Sequence, residues 1–252
     1  MQLHNDAPPI LYKFRSDFTR DLPFLLGERK LFLASPPKLN DLFDCYPAIS
    51  LPPANELNAL IAAEIEAAPA EARDELRWRC DLLVRSDIHR QRFVEEFYRK
   101  DLSQLGVLSL SARNDSLLEW SHYAGGASGF AVGYRGISEG DREAVPAFPV
   151  TYSGERARLF PLGDSDWVEI LSTKSDDWAY EREWRYVRTA PDGGHGNMDV
   201  PTGAIVEVCL GPRTSTAHRD AVLATVRDLE DQPRVLQAVQ SRDHFGLEFR
   251  EC

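Results

Sequence analysis

The sequence has no apolar run near the roughly 18 residues that a membrane span requires, and no signal-peptide core at its N-terminus. It also lacks a Cys-x-x-Cys pair. Its four cysteines, Cys45, Cys80, Cys209 and Cys252, have no partner histidines at zinc-ligand spacing. A structural zinc is therefore not expected, and free thiols in a reducing cytoplasm are. Basic residues are in deficit, with 29 Lys and Arg against 40 Asp and Glu and a net charge of −11. Broad electrostatic capture of nucleic acid or an anionic membrane is accordingly not expected. There is no internal repeat and no low-complexity tract. The chain does have 43% hydrophobic and 10% aromatic residues in a length of 252, enough for a sizeable core and contrary to disorder. A soluble cytoplasmic protein with a single domain over residues 1–252 is expected.

Periodicity supplies the fold class. Runs of period two at Ile10–Arg15 and Gly106–Ala112, further short runs at Lys30–Ser35, Gly129–Tyr134 and Pro149–Ser153, and the apolar run Ala204–Leu210 read as strands, the last one buried. Ser16–Gly27, Leu117–Ala124, Asp164–Thr173 and Ser215–Leu229 read as helices, with Trp167, Ile170 and Leu171 inward. From 54 to 105 the spacing changes to 3.6, with stripes such as Leu57, Leu60, Ile61 and Ile65. Pro69 separates the first two helices there, and Ser86-Asp87 caps the third. The expected fold is α+β: a twisted, mainly antiparallel sheet with flanking helices and a helical insertion at 54–105. The Gly- and Asp-rich loop 191–197 is expected to be mobile or a lid.

The stretch from Lys174 to Arg188 is the most unusual. From Tyr180 on it alternates as a strand, with Tyr180, Arg182, Trp184, Tyr186 and Arg188 on one face and Glu181, Glu183, Arg185 and Val187 on the other. Two carboxylates about 7 Å apart on one strand face repel each other unless a cation such as Arg185 or a ligand lies between them. That arrangement marks a candidate site, as against a solvated face of surface ion pairs. Arginines 182, 185 and 188 offer a local basic pocket. Two further strand faces carry polar groups, Lys13 with Arg15 and Ser109 with Ser111. His122 and Tyr123 lie on the helix that Ser116-x-x-Glu119 opens as a capping box. Asn40 and Asp41 read first as turn formers and, with Asp44, as possible ligand contacts.

A basic first strand, Ser109-x-Ser111 and Glu181-x-Glu183, in that order, resemble the three-part signature of arginine-specific ADP-ribosyltransferases, with Leu110 where that family usually has Thr. The resemblance implies NAD as a substrate, not a permanently held cofactor, and an acceptor of unknown identity. Carried over, Glu183 is the catalytic carboxylate and Glu181 the acceptor-side one. Arg15, with Lys13 competing for the role, is the anion contact, and Ser109 and Ser111 brace the pocket. Beyond what that resemblance carries over, the pocket is expected to extend to His122, Tyr123 and Arg185, with Tyr123 as a stacking surface for nicotinamide. A second resemblance spans nearly the whole chain. Leu11-Tyr-Lys-Phe-Arg15, Asn40-Asp-x-Phe-Asp44, Leu118-x-Trp-Ser-His-Tyr-Ala124 and Lys174-x-x-x-Trp178-x-Tyr-Glu-x-Glu-Trp-Arg185 resemble the bacterial domain-of-unknown-function family 2971. That resemblance implies a bacterial intracellular protein but no activity. Two other readings are open. One is metal-dependent phosphodiester hydrolysis through Asp41, Asp44, His122, Glu181 and Glu183, with Arg185 clamping a phosphate. The other is a non-catalytic nucleotide- or partner-binding module whose carboxylates pair internally.

Overall fold

A computed structural model of the chain describes residues 8–52, 54–85, 87–100, 102–136, 144–159, 166–189, 193–230 and 232–252. Two compact units result. The first takes Met1–Ala34, Leu105–Val150 and Asp177–Cys252; the second takes Ser35–Gln104 and Thr151–Asp176. In chain order, the first unit opens with β1 (Leu11–Arg15), α1 (Phe18–Leu22), a π-helical turn Pro23–Gly27, and β2 (Lys30–Leu33). The second unit then contributes β3 (Ala48–Ile49), α2 (Ala54–Ala67), α3 (Arg73–Arg85) and α4 (Asp87–Lys100). Back in the first are β4 (Gly106–Ser111), α5 (Leu117–Tyr123), β5 (Phe130–Tyr134) and β6 (Ala144–Pro149). The second is completed by β7 (Thr151–Ser153), β8 (Arg158–Leu159), α6 (Trp167–Ser172) and β9 (Thr173–Ser175). The first ends with β10 (Glu183–Arg188), β11 (Gly196–Asp199), β12 (Ile205–Leu210), α7 (Thr216–Arg227), β13 (Arg234–Gln240) and β14 (Leu247–Glu251).

The first unit is built on an eight-stranded sheet in the order β14-β13-β12-β5-β1-β4-β10-β6. Its pairs are antiparallel except β12 with β13, which α7 joins as a crossover between parallel neighbours. β5 and β10 are buried at every position because both faces of the sheet are covered. On one face Leu108, Leu110, Phe130, Val132, Trp184 and Tyr186 pack with Phe18 and Leu22 of α1 and Val222 and Val226 of α7. On the other, Tyr12, Phe14, Ala131 and Cys209 pack with Trp120 and Ala124 at α5, where the Phe14 and Trp120 rings meet edge to face at 5.1 Å. Further along, Tyr12 Oη donates to Glu207 Oε1 at 2.5 Å, and Arg234 Nη2 donates to Glu207 Oε2 at 2.8 Å, so the buried carboxylate is held at both oxygens. In the second unit, the three helices fill the 3.6-periodic stretch. Two parallel pairs, β3 with β8 and β7 with β9, accompany them. No described helix is long and apolar enough to cross a membrane.

Several expectations need correction. The strand expected at Pro149–Ser153 is two strands, β6 and β7, which belong to different units. Trp167 is exposed, although Ile170 and Leu171 beside it are buried. Ser86 lies outside the described residues, and α4 begins at Asp87. The loop 191–197 is not a lid where it is described. Gly196 and Asn197 pair with Leu33 and Phe32, and the Arg188 guanidinium donates to the carbonyls of Gly194 at 2.8 Å and Asn197 at 3.2 Å. The backbone runs so close here that a Cβ on Gly194 would lie 1.9 Å from the Arg188 carbonyl oxygen.

Candidate functional site

The serine and glutamate motifs sit on adjacent antiparallel strands. β4 and β10 pair with Ser111 opposite Glu183 and Ser109 opposite Arg185. Directly opposed residues project from the same face, so these four share a face with Tyr12, which stands opposite Ser111 on β1. This face is dry. Glu183 is 3% exposed and Arg185 0%, with Arg185 Nε 2.7 Å and Nη2 3.2 Å from the two oxygens of Glu183. A two-point, charge-assisted pair of this kind is what lets a carboxylate keep its charge out of water.

Glu181 reaches the same place by another route. The strand begins only at Glu183. Asp176–Glu181 is a 3-10 turn, and Arg182 adopts a left-handed φ of 43°, which breaks the alternation expected from Tyr180. Glu181 is nevertheless buried and accepts the Tyr123 hydroxyl at 2.6 Å. Tyr123 is one helical turn from Glu119 on α5, so both project toward β4 and β10. His122 is exposed, its Nδ1 2.9 Å from the Tyr180 hydroxyl. The Trp178 and Tyr180 rings lie 6.1 Å apart, and those of Tyr180 and His122 5.8 Å, giving an aromatic row beside the carboxylates.

Glu119 is the site residue that sequence reasoning missed. Ser116 caps α5, its hydroxyl accepting the Glu119 N–H at 3.4 Å, but the Glu119 side chain does not complete the capping box. It is 3% exposed, with Oε2 2.9 Å from Ser111 Oγ. Burial pushes its carboxyl up to about 8; the charges of Glu181 and Glu183 add to the shift, while the Ser111 hydrogen bond and Arg113 oppose it. Local hydrogen bonding agrees. Ser111 Oγ also lies 2.9 Å from the Glu181 carbonyl and 3.0 Å from the Arg113 carbonyl, so three acceptors surround one hydroxyl proton. A neutral Glu119 has less need of that one proton than a carboxylate has, which leaves it to the two carbonyls. The signal was present in the sequence, since a Glu four residues before Tyr123 on a short helix shares its face.

Two expected members of the site are elsewhere. Arg15 stands opposite Phe130 and projects from the face packed by α1, with Nε 3.9 Å from Asp21 Oδ2. Burial lowers its guanidinium below the ordinary value, with Asp21 opposing the shift. Lys13 alternates with Tyr12 on that same side, and its Nζ donates to the Ser109 carbonyl at 2.7 Å. Neither cation joins the glutamates. The arginines 182, 185 and 188 do not form one basic pocket, because Arg185 and Arg188 point to opposite faces and each is committed to local partners. Asn40, Asp41 and Asp44 belong to the second unit. Among the described residues no three His, Cys, Asp or Glu side chains are grouped so as to hold a metal ion.

No family model, curated protein or solved structure matches this chain. The first unit thus groups three glutamates, Glu119 with its carboxyl raised by burial, Glu181 bonded by Tyr123 and Glu183 paired with the Arg185 guanidinium.

Proposed function

We propose that this chain, with motifs resembling family 2971, cleaves the nicotinamide–ribose bond of NAD and passes ADP-ribose to water or an acceptor. The observation that carries the reading is the placement of three glutamates around Ser111 of β4: the Glu119 carboxyl and the Glu181 backbone carbonyl each 2.9 Å from its hydroxyl, and Glu183 opposite it in register. In the proposed reaction the C1′–N bond breaks with its electron pair leaving on nicotinamide, which departs neutral. Glu183 stabilises the positive charge that develops on the ribose, held in place by Arg185. The incoming nucleophile bonds to C1′ and gives its proton to Glu181, which Tyr123 orients. Protonated Glu119 keeps a third negative charge out of the cluster, and Trp178, Tyr180 and Tyr123 present ring faces for nicotinamide. The anion contact assigned to Arg15 by resemblance is dropped from this scheme.

Nicotinamide release from NAD, followed chromatographically, tests it. Glu183→Gln is expected to lower release by at least about a hundredfold, the scale set by loss of one charge-stabilising group. Release that survives this substitution removes Glu183 from the reaction. A second reading, a nucleotide-binding module without catalysis, is favoured by the internal pairing of Glu183 with Arg185. It predicts NAD binding without release.

A further inference from the structure

We propose that the second unit carries its own binding site for a small phosphorylated ligand, a sugar phosphate or mononucleotide in size. The site is a pocket of about 260 Å³ whose walls include Phe43, Tyr46, Arg156, Ile170, Lys174 and Ser175. All of these residues come from the second unit, and none takes part in the proposed NAD chemistry.

Three features define what fits. The first is an arginine held by rings instead of by an acid. The Arg156 guanidinium carbon lies 5.5 Å from the centroid of Phe43 and 5.7 Å from that of Tyr46. Among the described residues Arg156 makes no hydrogen bond or ion pair. A guanidinium held against rings instead of against a carboxylate keeps its N–H donors for a phosphate, which it can take at two points. Tyr46 is itself held, its hydroxyl accepting Gln91 Nε2 at 2.7 Å. The second is a buried cation on the wall. Lys174 is 5% exposed, with Nζ 3.7 Å from Asp44 Oδ2, and Cys45 Sγ lies 3.6 Å from Asp44 Oδ1. The ammonium is ion-paired with the equally buried Asp44 carboxylate, which offsets most of its charge. Of the charged residues lining the pocket, Arg156 and Lys174 are cationic and Glu155 is anionic; Asp44 behind Lys174 offsets one cation, so the preference for an anion rests on Arg156. The third is an apolar ring left in solvent: Phe43 is 55% exposed, a surface for the planar or apolar part of the ligand. Pocket volume limits the occupant, because pockets for drug-sized ligands run from about 300 to 1,000 Å³, and this one is smaller. The Asn40-Asp-x-Phe-Asp44 motif and Lys174, which the proposed NAD site leaves unused, supply Phe43, Asp44 and Lys174 here.

Calorimetric titration of the full chain with AMP, ribose 5-phosphate, inorganic phosphate and adenosine tests the proposal. At least one phosphorylated probe is expected to bind, and adenosine to bind at least about tenfold more weakly than AMP. Arg156→Ala, a change at an exposed side chain, should weaken the bound probe at least about tenfold while leaving the melting temperature unchanged. Lys174→Gln should weaken it too where that variant folds. Glu183→Gln should leave the affinity as it was, so that failure here is separable from failure of the NAD reading. Absence of binding by every phosphorylated probe overturns the proposal, as does adenosine binding as tightly as AMP. Wild-type affinity in Arg156→Ala overturns it as well.

Discussion

Glu119 offers the sharpest test of the physics of the first unit. Its carboxyl is raised from an ordinary value of 4.5 to about 8, chiefly by burial. Between those two values the unfolded chain has released this proton and the folded chain still holds it. The folded state therefore binds more protons, and stability falls as pH rises through that interval, with the loss complete above about 8. At 1.36 kcal/mol per pH unit, the shift corresponds to a loss of about 5 kcal/mol across the interval, a ceiling that water entry and coupling to Glu181 and Glu183 lower. Glu119→Gln keeps the size of the neutral side chain and removes the titration. Urea unfolding at pH 5, 6, 7 and 8 should show the wild-type free energy falling relative to the variant by about 1 kcal/mol or more per unit. Carbonyl-region infrared difference spectra should locate the lost proton at a carboxylic acid that the variant lacks. Parallel pH profiles for the two proteins would refute the assignment of a neutral, buried Glu119, and with it the explanation of the crowded Ser111 hydroxyl.

Two further substitutions probe the scaffold around the sites. Tyr12→Phe removes the hydroxyl that donates to buried Glu207, so the urea unfolding free energy should fall by about 1–3 kcal/mol; an unchanged midpoint would mean that another group satisfies that oxygen. Gly194→Ala puts a methyl against the Arg188 carbonyl and should cost about 1–3 kcal/mol or more, seen as a lower melting temperature, whereas a neutral result would show that the turn before β11 can shift outward.

Much of the fold was legible because its cues are local. The short runs that became β1, β4 and β5, the apolar run that became β12, the 3.6-periodic helices α2–α4, and the Gly125-Gly126 stop with φ of 58° and 64° each follow from neighbouring residues. Departures arose where distant chain segments decide the outcome. Tyr180–Arg182 carries a strand pattern, yet the chain turns as a 3-10 segment there and Glu181 reaches its partners from the side. The Gly-rich stretch around 196 resembles a free loop until β2 pairs with it. The site was half legible. Alternation sets Ser109, Ser111 and Glu183 on one face each, and register then brings the faces together. The same alternation sends Lys13 and Arg15 the other way once Tyr12 is fixed opposite Ser111, a constraint invisible without the pairing. Glu119 was hidden by its position, because a Glu three residues after a capping serine reads as part of the cap.

The chain passes between the two units four times, at residues 34–35, 104–105, 150–151 and 176–177. During synthesis, β4 and β5 emerge long before β10 and β12, the neighbours that close one side of each. Until those later strands arrive, both earlier ones have an unpaired edge bordered by apolar side chains, a template for pairing with another molecule. Fragments ending before Asp177 should therefore accumulate as aggregates, and dissecting this protein by simple truncation should fail where excision of a two-segment insertion could succeed.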